Sequence, residues 1–178
     1  EVHLANGLPS LSIVGLPELA VRESKDRVRG ALLNSHYEFP TRRITINLAP
    51  ADLPKQGGRF DLPIALGILA ASGQLPKTLL AQYEFAGELA LSGELRAVQG
   101  MLPAAIAARQ AGRGLILPLE NAPEAALVSE LDCFAAGHLL QVCAHLGGVE
   151  PLPLWRATDN TLRSEAMPDL ADVQGQCQ

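Results

Sequence analysis

Seven basic residues carry the clearest chemistry in this sequence: Arg22, Lys25, Arg29, Arg42, Arg43, Lys55 and Arg59. Arg22, Lys25 and Arg29 recur at three- and four-residue steps, so on a helix they form one basic stripe. Glu23 and Asp26 lie beside it and partly neutralise it. Such a stripe is usually a solvated face; its functional alternative is a polyanion surface. Aromatic residues do not interleave with these cations. DNA contacts would therefore be to phosphates, without sequence choice, and strongly weakened by salt.

Lys55 and Arg59 bracket Gln56-Gly57-Gly58 ahead of an apolar run, where a helix N-terminus could hold a phosphate. A Gly-Gly pair also makes a plain turn needing positive φ. Asp61, in the N-cap place, would satisfy the free amides itself. The turn reading is preferred for those amides, with Lys55 and Arg59 projecting outward toward a nucleic-acid backbone or a partner subunit. His138, Cys143 and His145 fall close together. A metal site needs three or four convergent ligands, so these are read as ordinary helix residues and no metal is assigned. Glu88 and Glu94 flank a turn, a weak acid–base signal without a pocket.

These residues need elements to position them, and the stretch Leu48–Gly73 organises the rest. From Leu62 to Ala71 every residue is apolar or Gly. A helix apolar on every side is buried on every side, and about ten residues cannot span a bilayer. Pro63 fits the first turn, where its missing N–H is harmless. Val2–Asn6 and Leu8–Val14 read as a hairpin around Asn6-Gly7. Pro17–Ser35 reads as a helix and Arg42–Leu48 as a strand. Tyr83–Leu91 and Glu94–Val98 read as strands around Ser92-Gly93, and Pro103–Gly112 as a helix. Strand Gly114–Leu117, helix Glu120–Ser129, strand Cys133–Ala136 and helix Leu139–Leu146 follow, the last closed by Gly147-Gly148. Alternating strands and helices with hairpins give an α+β fold with mixed strand directions. Residues 1–150 form the expected domain. Residues 151–178, broken by Pro151, Pro153 and Pro168, read as a linker. The chain opens inside a strand pattern and closes on no element, as a fragment would.

Size and charge bound the answer. The 178 residues are 48% hydrophobic with only 4% aromatic, so the core is built from Ala, Leu, Ile and Val. The formal net charge is -5, yet residues 1–60 carry a net of +2 and the remainder a net of -7. A globally acidic chain is no dedicated polyanion binder, but it tolerates a local basic face. Cys133, Cys143 and Cys177 show no C-x-x-C spacing, which fits a reducing cytosol. No signal peptide or membrane span is visible, so a cytoplasmic location is expected.

Three strings resemble the N-terminal, Lon-protease-like (ChlI-like) domain of the ComM/YifB family of Mg-chelatase-like AAA+ ATPases: SIVGLPELAVRESKDRVRGALLNS, ITINLAPADLPKQGGRFDLPIALGILAASG and GELALSGELRAVQG. The resemblance covers about residues 1–150, and PDLADVQGQ resembles the lead-in to that family's ATPase domain. It implies the mixed-sheet sandwich shared by Lon proteases, a ribosomal protein and GHMP kinases. It also implies a hexameric ring and a role in recombining incoming DNA by branch migration, with ATP and Mg bound in the ATPase domain. The sequence contains no G-x-x-x-x-G-K-[ST], so no cofactor is expected in this fragment. Lon proteases use a Ser–Lys dyad; matching their motifs here puts Arg59 in the nucleophile's place and Leu102 in the lysine's. Arginine is never a base at working pH and leucine has no proton chemistry, so no catalytic residue is assigned. The expected function is a non-catalytic accessory domain assisting ring assembly or DNA engagement. Alternatives are a Lon-type peptidase or protein-substrate docking domain, and a magnesium chelatase ATPase subunit.

Overall fold

A computed structural model describes residues 1–155. Its axis is α2 (Asp61–Ala71), in which eight of eleven residues are buried, as the apolar run Leu62–Ala71 dictates for all but Asp61. Gly67 lets the first strand approach: a Cβ there would stand 2.6 Å from Val2 Cγ2. α1 (Leu19–Asn34) packs beside α2 through Val28, Ala31 and Leu32. It begins two residues after Pro17, which instead forms a bridge with Lys55.

The expected N-terminal hairpin does not form. β1 (Val2–Ala5) and β2 (Ser10–Val14) are separated by β3 (Arg43–Asn47), in the order β1-β3-β2. β3 runs antiparallel to β1, with Val2 opposite Ile46, and parallel to β2, with Ser10 opposite Arg43. The reason is apolar demand. Ile44 and Ile46 are almost wholly buried, so β3 takes the central place. α1 supplies the crossover that parallel β2 and β3 require.

The expected strand Tyr83–Leu91 also breaks. β4 (Tyr83–Phe85) joins a second sheet, while β5 (Glu88–Leu89) pairs with β6 (Leu95–Arg96) in a ribbon. Gly87 is diverted between them: its N–H donates to the Arg59 carbonyl at 3.1 Å, and its carbonyl accepts from Leu62 N–H at 3.0 Å. The second sheet has the order β4-β7-β8-β9, from β7 (Gly114–Pro118), β8 (Cys133–Ala136) and β9 (Leu154–Trp155). β4, β7 and β8 are parallel; β9 is antiparallel. α5 (Leu139–Leu146) has the expected bounds, and α3 (Met101–Gln110) lies two residues ahead of the expected Pro103–Gly112. Helix Glu120–Ser129 shrinks to α4 (Ala122–Ala125), preceded by a 3-10 turn over Leu119–Asn121 in which the Asn121 amide bonds both backbone groups of Val98, at 2.9 and 2.8 Å.

The folded body passes the expected boundary at 150. Leu152 packs on the core, and β9 pairs with Cys133 and Phe134. The rest of the expected linker, 156–178, lies outside the described residues, as does Cys177. Among the described residues no helix is long and apolar enough to cross a membrane.

Candidate nucleic-acid interface

α1 buries Val21, Ser24, Val28, Ala31 and Leu32 and leaves Arg22 and Arg29 exposed, with Lys25 half-buried. Arg22 Nε donates to the Pro17 carbonyl at 3.2 Å. The Arg29 guanidinium lies over the Phe39 ring, 5.1 Å from its centroid, a cation–π contact. Arg42 and Arg43 are exposed at the start of β3. Arg29 and Arg42 converge: they line one cleft of about 130 Å³ with Ser10 and Thr41. Across the Phe39–Arg42 segment lies a cavity of about 600 Å³, walled by Leu4, Leu33, Tyr37, Phe39 and Glu38. Gln74 pins Glu38, the residue just ahead of that segment, accepting from its N–H at 2.9 Å and donating to its carbonyl at 2.8 Å. Sequence spacing suggested cations without aromatic neighbours; folding brings Tyr37 and Phe39 beside them. Among the described residues, ion pairs within 4.0 Å are made by Arg27, Arg109 and Arg113, and none by Arg22, Lys25, Arg29, Arg42 or Arg43.

Lys55 and Arg59 do not extend this face. Lys55 is 5% exposed; its Nζ donates to the Pro50 carbonyl, and its backbone pairs with Leu16 and Glu18. It is a clip between two loops, not an outward cation. Arg59 is half-buried and donates from Nη2 to the Gln99 carbonyl at 2.9 Å, in a separate cleft shared with Gln56 and Glu88. Gly57 has φ +72, as a turn requires, and Gly58 is pressed against Glu88. At the α2 N-terminus Leu62 N–H is taken by the Gly87 carbonyl, and the Glu88 carboxylate lies against Gly58 in the turn before it.

Asp61 is not the N-cap. Phe60 holds that place without a side-chain bond, and Asp61 is the first helical residue, fully buried. Its carboxylate accepts from the Ser24 hydroxyl, from Arg27 Nε at 2.6 Å and Nη2 at 3.1 Å, and from Leu89 N–H at 3.1 Å. The hydrogen bond to Asp61 raises the Arg27 pKa. Arg27 escaped the sequence reading because it lies off the basic stripe. Its signal was position: three residues after Ser24 and four before Ala31, it sits on the buried stripe of α1, where a charge demands a partner.

The remaining candidates are structural. His138 caps α5, accepting from Leu140 N–H at Nδ1, 3.1 Å, with Gln141 completing a capping box. It is thus the N-cap and not a plain helix residue. His145 accepts from Leu152 N–H at Nδ1, 2.9 Å, and meets the Tyr83 hydroxyl at Nε2, 3.0 Å; burial lowers its pKa. Burial raises the Cys143 thiol pKa. Burial, and then its bond to Cys143, pushes Tyr37 up. No group of His, Cys, Asp and Glu that could hold a metal occurs among the described residues. Leu102 lies half-buried in the first turn of α3, and its N–H donates to Glu124 Oε1 at 2.9 Å.

Comparison with known proteins gives this geometry a family setting. The family described as subunit ChlI of Mg-chelatase matches residues 1–121. YifB of Salmonella typhimurium is 55% identical over 176 residues, covering 99% of this chain and 35% of that protein. Competence protein ComM of Haemophilus influenzae is 53% identical over 182 residues, covering 99% of this chain and 35% of that protein. YifB of Escherichia coli is 51% identical with the same coverage, 99% and 35%. The chain thus spans about a third of the length of these relatives.

Proposed function

The chain belongs to the family of subunit ChlI of Mg-chelatase, and from that membership we propose that it is a non-catalytic accessory domain of a ComM-like ATPase, engaging DNA and assisting ring assembly. The observation that carries this reading is the division of cations. Arg27, Arg109 and Arg113 have carboxylate partners, whereas exposed Arg22, Arg29, Arg42 and Arg43 have none among the described residues. In a chain of formal net charge -5, exposed guanidiniums on α1 and β3 without an ion-pair partner among the described residues are open to a phosphate. A relative bearing the name of competence protein adds incoming DNA as the setting. ATP and Mg are assigned to the part of the protein beyond this chain, and no step here runs through them. A peptidase finds no support at Arg59 and Leu102, one a fixed cation and the other a hydrocarbon.

The test is a titration of the chain against fluorescent DNA at about 50 mM and about 200 mM salt. Binding should weaken steeply with salt. Replacing Arg29, Arg42 and Arg43 together by Gln should weaken it about tenfold or more at low salt. Absence of binding at the lower salt would remove DNA engagement and leave assembly as the domain's role.

A further inference from the structure

We infer that the Phe39–Arg42 segment seats one nucleotide unit of a single DNA strand, with its phosphate in the Arg29–Arg42 cleft and its base in the larger cavity beside Tyr37. This rests on the DNA reading above and adds the strand form and the seat.

The two hollows differ in charge as well as size. The cleft of about 130 Å³ is lined by Arg29, Arg42, Ser10 and Thr41 and by no carboxylate. The cavity of about 600 Å³ has both Glu38 and Arg42 on its wall. Two guanidiniums face the cleft, whereas in the cavity Glu38 offsets Arg42, so a phosphate favours the cleft. Arg29 is held over Phe39 at 5.1 Å, so its guanidinium loses less freedom on binding than an unsupported one. Gln74 pins Glu38, the residue just ahead of the segment between the hollows, which restrains one end of their shared wall.

The larger cavity then decides the strand form. Leu4, Leu33, Tyr37 and Phe39 offer apolar and aromatic wall to a flat ring. A duplex keeps its bases stacked and paired and presents only phosphates, leaving this cavity empty. A single strand can turn a base out against an aromatic wall, a contact tolerant of sequence because every base has a ring face.

The experiment uses the 178-residue chain and fluorescence anisotropy with a single strand and a duplex of equal length. The single strand should bind at least about tenfold tighter. Leu33 is 49% exposed on the cavity rim. Leu33→Ser should weaken single-strand binding about fivefold, leave duplex binding unchanged, and keep the wild-type circular dichroism. Arg29→Gln with Arg42→Gln should weaken both forms and make the single-strand salt slope shallower by roughly 0.7, as for one lost phosphate. A bromodeoxyuridine-substituted strand should photo-crosslink to the peptide holding Tyr37 and Phe39. Equal affinity for both forms, indifference to Leu33→Ser, or adducts confined to other peptides would overturn the inference while leaving DNA engagement standing. Failure to bind either form at low salt would overturn both.

Discussion

A carboxylate with no exposed surface keeps its charge only when donors surround it. Asp61 has Ser24, Arg27 and the Leu89 amide, drawn from α1 and β5 onto the first turn of α2. The pair therefore fixes where α1, the carrier of Arg22 and Arg29, sits against the central helix. Asp61→Ala leaves Arg27 without its counterion, and Arg27→Ala leaves a buried carboxylate; each should cost about 3–5 kcal/mol in urea unfolding. Arg27→Met with Asp61→Leu should cost clearly less than the sum, because no unpaired charge remains. Additive losses would mean the two residues act independently. The sequence marks Asp61 as special but not for this reason. Capping is a local relation readable from spacing, whereas Arg27 lies 34 residues away and no period links them.

At the scale of elements, legibility follows locality. α2, α5 and β8 are readable because composition or flanking glycines define them within their own span. The order β1-β3-β2 is not: Asn6-Gly7 is a local hairpin signal, and it loses to the burial of Ile44 and Ile46 between two partners. The cleft at Arg29 and Arg42 is hidden for the same reason, since only the fold brings α1 to the segment before β3. β9 is the other long-range case. Pro151 and Pro153 read as linker, yet Leu152 N–H is held by His145 Nδ1, which must be unprotonated to accept it. Burial puts the folded His145 pKa below the ordinary 6.5. The unfolded chain therefore takes up the proton first. Stability from this group is complete above about pH 6.5 and is lost as pH falls through the folded pKa. Thermal melts from about pH 7.5 down to about pH 5 should show a shallower decline for His145→Gln than for the wild type. Equal slopes would show that the tether does not depend on the imidazole's protonation.

At the scale of the whole molecule, the described residues form two apolar clusters with one wall between them. α1, α2, β3 and α5 surround the larger; α3 and α4 cover the smaller. The wall is the second sheet, and the alternation along its strands assigns neighbours to opposite sides. On β7, Ile116 belongs to the larger cluster while Leu115 and Leu117 belong to the smaller. On β8, Phe134 and Ala136 face the larger, Cys133 and Ala135 the smaller. A strand cannot lose one face and keep its register on the other, because the same backbone ladder carries both. Damage on either side should therefore be felt by the entire fold. Leu69→Ala in the larger cluster and Met101→Ala in the smaller, both fully buried, should each lower stability by about 2–5 kcal/mol. Each should also move one shared transition. Trp155 is the chain's single tryptophan, and it sits on β9 against β8, so its fluorescence reports the wall. Far-UV circular dichroism reports the helices of both clusters. In urea the two signals should give coincident midpoints for the wild type and for both variants. If Met101→Ala separates them, the smaller cluster unfolds alone, and the basic face on α1 and β3 is then supported by the larger cluster without it.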